Sequence, residues 1–322
     1  MNDAAAGGRE LGIRLRERDT SAAAAALNLL ESRSPASRDQ ARALIAEVSP
    51  SRLGAELPAH IIGITGPPGV GKSSLVSRLI SNWRTESRTV AVLAVDPTSR
   101  RTGGALLGDR ARIEADPRDS GVFIRSTAAG ERLGGLAPAT RAAAGALAAA
   151  FDLVVIETVG VGQSETEVAE VADSVAVVVQ PGAGDVLQYL KAGIMEVPDI
   201  LVVTKADLGR LATRTASDVR AALGPLGRQD VAVLAVSSTA PPTGIDELVQ
   251  ALDAHRASID LSARRLQARR REALSEFVEE YGERGLRALG GRREAESWLA
   301  QRDASLDAIA LAGLLAERAA GG

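Results

Sequence analysis

The string Gly66-Pro-Pro-Gly-Val-Gly-Lys72-Ser73 has the residue types and spacing of a loop that binds nucleotide phosphates. Its glycines let backbone N–H groups converge on phosphate oxygens at the start of a helix. The ammonium group of Lys72 is expected to reach the β- and γ-phosphates, and the Ser73 hydroxyl to ligate Mg²⁺. We therefore predict that Lys72 is catalytic and that the nucleotide contacts Thr65, Gly66, Pro67, Pro68, Gly69, Val70, Gly71, Lys72, Ser73 and Ser74.

A second motif, Thr204-Lys205-Ala206-Asp207, follows an apolar run and could select the base. The Asp207 carboxylate can accept hydrogen bonds from guanine N1–H and N2–H₂, which adenine does not offer, and the Lys205 stem can pack along the base. Guanine motifs usually begin with Asn, and Thr204 lacks its amide donor. Ser237, Ser238 and Thr239 follow another apolar run and would complete the base-contacting loops. These residues favour GTP over ATP.

Carboxylates follow two further apolar runs. Asp96 directly follows the run Val90–Val95 and Glu157 directly follows Leu153–Ile156, so both are predicted at the edge of a parallel sheet where ligands bind. Glu157 could reach Mg²⁺ through water or orient the attacking water, which makes it a second catalytic candidate. Asp109, in the Gly-rich segment 102–110, is another metal candidate. The predicted Mg²⁺ ligands are therefore Ser73, Asp96, Asp109 and Glu157, with Gly160 and Gln163 in a loop that senses the γ-phosphate.

These side chains require a sheet to position them. Seven near-continuous runs of Val, Ile and Leu are typical of strands buried on both faces, at 61–65, 90–95, 122–124, 153–156, 175–179, 200–203 and 231–236. Intervening segments are long enough for crossover helices. We predict an α/β P-loop NTPase fold with a doubly wound, mostly parallel sheet. The predicted organisation is an N-terminal helical segment (1–55), a GTPase domain (56–255) and a C-terminal helical segment (256–322).

Composition excludes several classes of function. The chain has no cysteine, so disulfides, thiolate metal sites and cysteine nucleophiles are excluded. A net charge of −3 and the absence of a long apolar run argue against nucleic-acid and membrane partners, and we expect a cytoplasmic location. Of the 38 basic residues only Lys72, Lys191 and Lys205 are lysine, and two of these lie in the motifs above.

The ordered strings Val95-Asp-Pro-Thr-Ser, Thr102-Gly-Gly, Leu133-Gly-Gly135, Glu157-Thr-Val-Gly-Val-Gly-Gln-Ser-Glu165 and Pro181-Gly-Ala-Gly-Asp185 resemble the MeaB family. Members are GTPase chaperones of adenosylcobalamin-dependent acyl-CoA mutases such as methylmalonyl-CoA mutase, and an older label for the family is ArgK, a transport kinase. The resemblance runs from about Leu27 to His255.

The resemblance implies GTP/GDP and Mg²⁺ as ligands, Asp96 and Asp109 as carboxylates of the first switch, and Glu157 in place of the usual aspartate. It also implies an additional switch that contacts the mutase, with Asp185, Gln188 and Lys191 in it, and a homodimer formed through C-terminal helices. Thr204 departs from the family pattern, where the residue is Asn.

Two other functions fit parts of the sequence. The older label suggests a nucleotide-dependent kinase, but no second substrate pocket is evident. A metal-delivery GTPase would need His or Cys clusters, and this chain has only His60 and His255. The arginine-rich stretch 264–271 is followed on the same segment by the acids Glu272, Glu276, Glu279 and Glu280, which favours a solvated helix face over a nucleic-acid site.

Overall fold

The computed structural model describes residues 5–32, 34–96, 112–129, 136–158, 160, 163–182 and 197–321. Packing divides the chain into two compact units. The first, here called the helical unit, comprises 1–58, 145–150 and 260–322, and the second, here called the sheet unit, comprises 59–144 and 151–259. The N- and C-terminal segments thus belong to one unit. No helix among the described residues is long and apolar enough to cross a membrane.

The sheet unit is built on one seven-stranded sheet whose described neighbours all pair in parallel, in the order β3-β2-β4-β1-β5-β6-β7. The predicted doubly wound P-loop fold is confirmed. The strands are β1 (His60–Thr65), β2 (Val90–Asp96), β3 (Val122–Ala128), β4 (Leu153–Glu157), β5 (Ser174–Val179), β6 (Ile200–Val203) and β7 (Ala232–Ala235).

The strand predictions differ most from the structure at β3. This strand continues to Ala128, beyond the predicted end at Ile124, because Arg125, Ser126 and Thr127 pair with β2 although their side chains are polar. The central strands β1, β2, β4, β5 and β6 are buried along their whole length. Burial on both faces is the physical reason that their sequences are continuous apolar runs.

The described helices of four or more residues begin with α1 (Ala6–Arg16), α2 (Ala23–Glu31), α3 (Pro35–Glu47) and α4 (Pro50–Leu53). The crossover helices are α5 (Lys72–Thr85), α6 (Pro138–Leu147), α7 (Gln163–Ala169), α8 (Arg210–Leu223) and α9 (Ile245–Ser258). The C-terminal helices are α10 (Leu261–Ala288), α11 (Arg292–Ala300) and α12 (Ala308–Gly321). One core joins α5 and α9 to a face of the sheet, through residues such as Leu75, Leu79 and Leu248.

In the helical unit, α1 and α3 approach closely because α1 carries glycine at its contact points. A Cβ on Gly8 would lie 1.9 Å from the Gln40 carbonyl oxygen, and one on Gly12 would lie 2.7 Å from the Glu47 Cβ. The Glu47 carboxylate, which is buried, forms ion pairs with Arg9, Arg16 and Arg52 at 3.1 Å each. The close contacts at the two glycines and the ion pairs of Glu47 therefore both fix the register of α1 against α3.

In α10 the apolar residues Leu274, Phe277 and Tyr281 lie at helical spacing and form one stripe, of which Leu274 and Phe277 are buried but Tyr281 is 44% exposed. The helix departs from helical geometry at Gly282, whose φ is 61°, so the stripe ends there. The prediction of a solvated arginine face is wrong for Arg265 and Arg269. The Arg265 guanidinium is buried and donates to the Leu57 carbonyl oxygen, and Arg269 pairs with Glu56 at 2.8 Å.

Candidate functional site

The phosphate loop connects the end of β1 to the start of α5. Gly66, Gly69 and Gly71 have φ values of 143°, 78° and 97°, which side chains other than glycine rarely adopt. A Cβ on Gly66 would lie 2.1 Å from the Val178 carbonyl oxygen on β5. The motif glycines are thus required by backbone conformation and, at Gly66, by the neighbouring strand. Thr65, below the loop, is buried and accepts a hydrogen bond from Thr158 at 2.7 Å.

Lys72 is 7% exposed, and its ammonium group is held inside the loop. Nζ donates to the carbonyl oxygens of Gly66 at 2.8 Å and Pro67 at 3.1 Å. An ammonium group held by the backbone of such a loop can bind an anionic ligand such as a phosphate. Pro68 and Gly69, at the tip of the loop, are exposed, as is Ser74 on the first turn of α5.

Two predicted metal ligands, Ser73 and Glu157, lie in direct contact. The Ser73 hydroxyl donates to Glu157 Oε1 at 2.8 Å, and Glu157 is 2% exposed. Asp96, at the end of β2, is also buried. Glu157 pairs in register with Ala94, two residues before Asp96, so both carboxylates extend from the same face of the sheet.

This donor set suits Mg²⁺. Only oxygen atoms are offered, and Mg²⁺ in nucleotide sites is held by one or two carboxylates together with phosphates and water. Among the residues that the structure describes, no group of three or more His, Cys, Asp or Glu forms a complete protein cage for a metal. Asp109, the other predicted ligand, lies outside the described residues.

The predicted base-reading residues lie at the ends of β6 and β7. The Ser237 hydroxyl donates to Asp207 Oδ1 at 2.7 Å and accepts from the Thr239 N–H at 3.2 Å. Ser237 therefore orients the carboxylate that is proposed to read guanine. Lys205 has a φ of 53°, and its ammonium group donates to Gln180 Oε1 at the end of β5. The Ser238 carbonyl oxygen accepts from Arg78 on α5 at 2.9 Å.

Thr204 contacts the backbone of the phosphate loop through its side chain. It is buried, and its hydroxyl donates to the Val70 carbonyl oxygen at 2.6 Å, with the Val179 carbonyl oxygen at 3.1 Å. Its one hydroxyl hydrogen is thus directed at the phosphate loop and the end of β5. Neither Gln180 nor Arg78 was predicted to take part. A glutamine directly after a buried strand was the available signal for Gln180.

Gly160, three residues after Glu157, lies against the phosphate loop. Its φ is 76°, and a Cβ there would be 1.7 Å from the Gly66 carbonyl oxygen that also accepts from Lys72. Gln163 is the first residue of α7. The predicted switch and partner residues Asp185, Gln188 and Lys191 lie outside the described residues.

Comparison with known proteins agrees with this geometry. The family model described as "Methylmalonyl Co-A mutase-associated GTPase MeaB" matches residues 23–288. A protein of Pyrococcus abyssi named as a GTPase is 41% identical over 277 residues, which cover 84% of this chain and 82% of that protein. The Caenorhabditis elegans protein named methylmalonic aciduria type A homolog, mitochondrial, is 42% identical over 198 residues, 58% of this chain and 49% of its own length. The solved structure of a LAO/AO transport system kinase matches with a TM-score of 0.66 and 28% identity, covering 98% of both chains.

Proposed function

The chain belongs to the MeaB family of methylmalonyl-CoA mutase-associated GTPases, and from this membership we propose that it is a Mg²⁺-dependent switch that acts as a chaperone for an adenosylcobalamin-dependent acyl-CoA mutase. In this proposal GTP binding and hydrolysis rearrange loops beside the γ-phosphate. Their movement gates cofactor loading into the mutase, or the release of damaged cobalamin. The partner class comes from the family description, and the mechanism comes from the residues of the site.

The observation that carries the proposal is the contact between Ser73 and Glu157. It joins the phosphate loop to the end of β4, the strand that leads into Gly160. A change in the ligands of Ser73 is thereby passed to the segment that follows Glu157. This is the coupling that a nucleotide switch needs, because occupancy at the phosphates must alter the conformation of a loop elsewhere.

In the proposed reaction, Lys72 turns from the loop carbonyls toward the β- and γ-phosphates and stabilises the negative charge that develops during hydrolysis. Mg²⁺, held by Ser73 and by Asp96, Asp109 or Glu157 directly or through water, would neutralise phosphate charge when bound. The Glu157 side chain, one methylene longer than the usual aspartate, orients the attacking water through its carboxylate. Asp207 reads the guanine edge while Ser237 holds its carboxylate in place.

The remaining assignments extend the same proposal. Asp185, Gln188 and Lys191 would contact the mutase or an adjacent switch in one nucleotide state, with Gly160 and Gln163 sensing the γ-phosphate. Two copies would associate through C-terminal helices. The division of the sequence at about residues 55 and 255 into two terminal helical segments and a GTPase domain remains a proposal.

The mutase role is tested by affinity capture from the native cell extract with the full chain loaded with a non-hydrolysable GTP analogue. We expect an acyl-CoA mutase in the bound fraction, and less of it with the GDP-loaded chain. Recovery of no acyl-CoA mutase or cobalamin protein in either state would overturn the chaperone proposal. A kinase role predicts ATP affinity equal to or above GTP affinity, so a direct comparison of the two affinities separates these functions.

A further inference from the structure

Both histidines of this chain meet at one serine, at the edge of the sheet opposite to the phosphate loop. His60 is the first residue of β1 and Ser174 the first of β5, while His255 lies near the end of α9. The Ser174 hydroxyl oxygen is 2.7 Å from His60 Nε2 and 2.7 Å from His255 Nδ1. Ser174 is fully buried and His60 is 3% exposed, whereas the His255 side chain is 20% exposed. Ser174 thus bridges an interior histidine and one that solvent reaches.

Asp199, just before β6, determines the direction of these hydrogen bonds. Its Oδ1 lies 3.3 Å from His255 Nε2, and its Oδ2 accepts from the Val175 N–H at 2.8 Å. A carboxylate oxygen attracts an N–H and repels a ring-nitrogen lone pair, so neutral His255 carries its hydrogen on Nε2. His255 Nδ1 is then an acceptor.

The remaining directions follow from counting hydrogens. Ser174 has one hydroxyl hydrogen and donates it to His255 Nδ1. The Ser174 oxygen must therefore accept from His60, which places the hydrogen of neutral His60 on Nε2. His60 Nδ1 is then a buried lone pair, and among the described residues it has no hydrogen-bond partner. Every buried donor in this arrangement has an acceptor.

Protonation of His255 disturbs this balance. A charged His255 carries hydrogens on both ring nitrogens. The two hydrogen bonds at Ser174 then have three hydrogens to place, one each from His255 Nδ1, the Ser174 hydroxyl and His60 Nε2. One buried N–H or O–H is left without an acceptor, which destabilises the folded state. We propose that His60, Ser174 and His255 form a one-directional hydrogen-bond relay in which both neutral imidazoles carry their hydrogen on Nε2, and that this relay makes the sheet unit less stable in acid.

The burial of His60 also makes the fold less stable in acid. Burial lowers the pKa of His60 from 6.5 to about 4; Asp173 and Asp253 oppose the shift, and Arg256 and Arg88 add to it. The unfolded chain therefore binds a proton at this histidine below about pH 6.5, while the folded chain does not until about pH 4. Stability is lost as the pH falls through this interval.

The relay is tested by nuclear magnetic resonance of the full chain labelled with ¹⁵N, using couplings between imidazole nitrogens and ring hydrogens. Only two imidazoles contribute. At pH 8 we expect both as Nε2–H tautomers. A His60 signal of the Nδ1–H tautomer, or of a rapidly exchanging mixture, would overturn the proposal, and this measurement needs no variant.

A variant tests the loss of stability in acid. In His60→Gln the titrating imidazole is removed, while the amide can still donate to Ser174. We expect the free energy of unfolding to fall less between pH 6.5 and pH 4 than in the wild type. Thr89→Val is the matched control, because it removes the hydrogen bond from the Thr89 hydroxyl to Asp152 at 2.8 Å, which lies at the same end of the sheet and outside the relay. An equal loss in His60→Gln and the wild type, or an equally reduced loss in Thr89→Val, would contradict the proposal.

Discussion

The Thr204 hydroxyl on the segment after β6 donates to the Val70 carbonyl oxygen of the phosphate loop at 2.6 Å. Two motifs separated by more than 130 residues in the chain are thereby connected by one hydrogen bond. Thr204 stands where guanine motifs usually have Asn, and its contact is with the loop backbone. We infer that its contribution to nucleotide binding is the position of the loop, whereas base choice depends on Asp207, Ser237 and Lys205.

Replacing Thr204 by Val removes the hydroxyl and leaves the Val70 carbonyl oxygen without this donor. We expect affinity for GTP and GDP to fall by about tenfold, since a buried unsatisfied carbonyl costs about 1–3 kcal/mol. The ratio of GTP to ITP affinity should not change. Thr204→Ser, which keeps the hydroxyl, is the control and should bind nearly as the wild type. Titration with fluorescent nucleotide analogues measures each affinity, and a change in the ratio would assign Thr204 to the base instead.

Asp207→Asn exchanges an acceptor for an amide that both donates and accepts. We expect GTP affinity to fall by about two orders of magnitude. The charge-assisted hydrogen bonds from guanine to the carboxylate are lost, and a guanine N–H then faces the amide N–H₂ instead of an acceptor. XTP should bind better than GTP, because xanthine presents a carbonyl oxygen where guanine has its amino group. Competition between the two nucleotides is the measurement. Ser237→Ala should weaken GTP binding less and leave the preference for GTP, since Asp207 is retained.

Glu157→Gln keeps a hydrogen-bond acceptor for Ser73 but removes the negative charge. If Glu157 belongs to the metal shell, the Mg²⁺ concentration for half-maximal GTP hydrolysis should rise by about tenfold. GDP affinity measured without Mg²⁺ should stay close to that of the wild type. The same Mg²⁺ requirement in both proteins would exclude Glu157 from the shell. Lys72→Ala should abolish hydrolysis at every Mg²⁺ concentration.

Glu276 on α10 gives a pH-dependent prediction in the helical unit. Burial, and then repulsion from Glu279 and Asp307, raises its pKa from 4.5 to about 7, against the attraction of Arg42. Between pH 4.5 and about pH 7 the folded state therefore keeps a proton on Glu276 that the unfolded state has lost. Above pH 7 Glu276 is ionised in both states, and the full free-energy cost of burying its charge then destabilises the folded state. Glu276→Gln should raise the free energy of unfolding at pH 8 by about 1–2 kcal/mol and change it little at pH 4.5.

Thermal or urea unfolding at both pH values measures this difference. Glu283→Gln is a suitable control, because Glu283 is an exposed acid on the same helix, and surface substitutions usually change stability by less than about 0.5 kcal/mol. An equal gain at pH 4.5 and pH 8 would attribute the effect of Glu276→Gln to packing or helix propensity and not to charge.

Much of the fold could be predicted because strands buried on both faces have continuous apolar sequences. The strand ends at Thr65 and Val203 were identified from apolar runs, and those at Asp96 and Glu157 to within one residue. Polar residues at the ends of such runs must meet at one edge of a parallel sheet. The polar half of β3 was missed for the same reason. Its pairing with β2 involves backbone groups, and backbone hydrogen bonds leave no pattern in side-chain polarity.

The sequence by itself determined the kind of chemistry. Glycine spacing with Lys72 and Ser73 specifies a phosphate loop because few other residues allow backbone N–H groups to converge, and Asp207 in its motif predicts an acceptor for a guanine base. Only the tertiary structure decided which residues each of these side chains contacts and orients. That the Thr204 hydroxyl is directed at Val70, that Ser237 holds Asp207, and that both histidines meet at Ser174 depend on contacts across strands. Such contacts are set by sheet order and register, which are properties of the packed chain and not of any local segment.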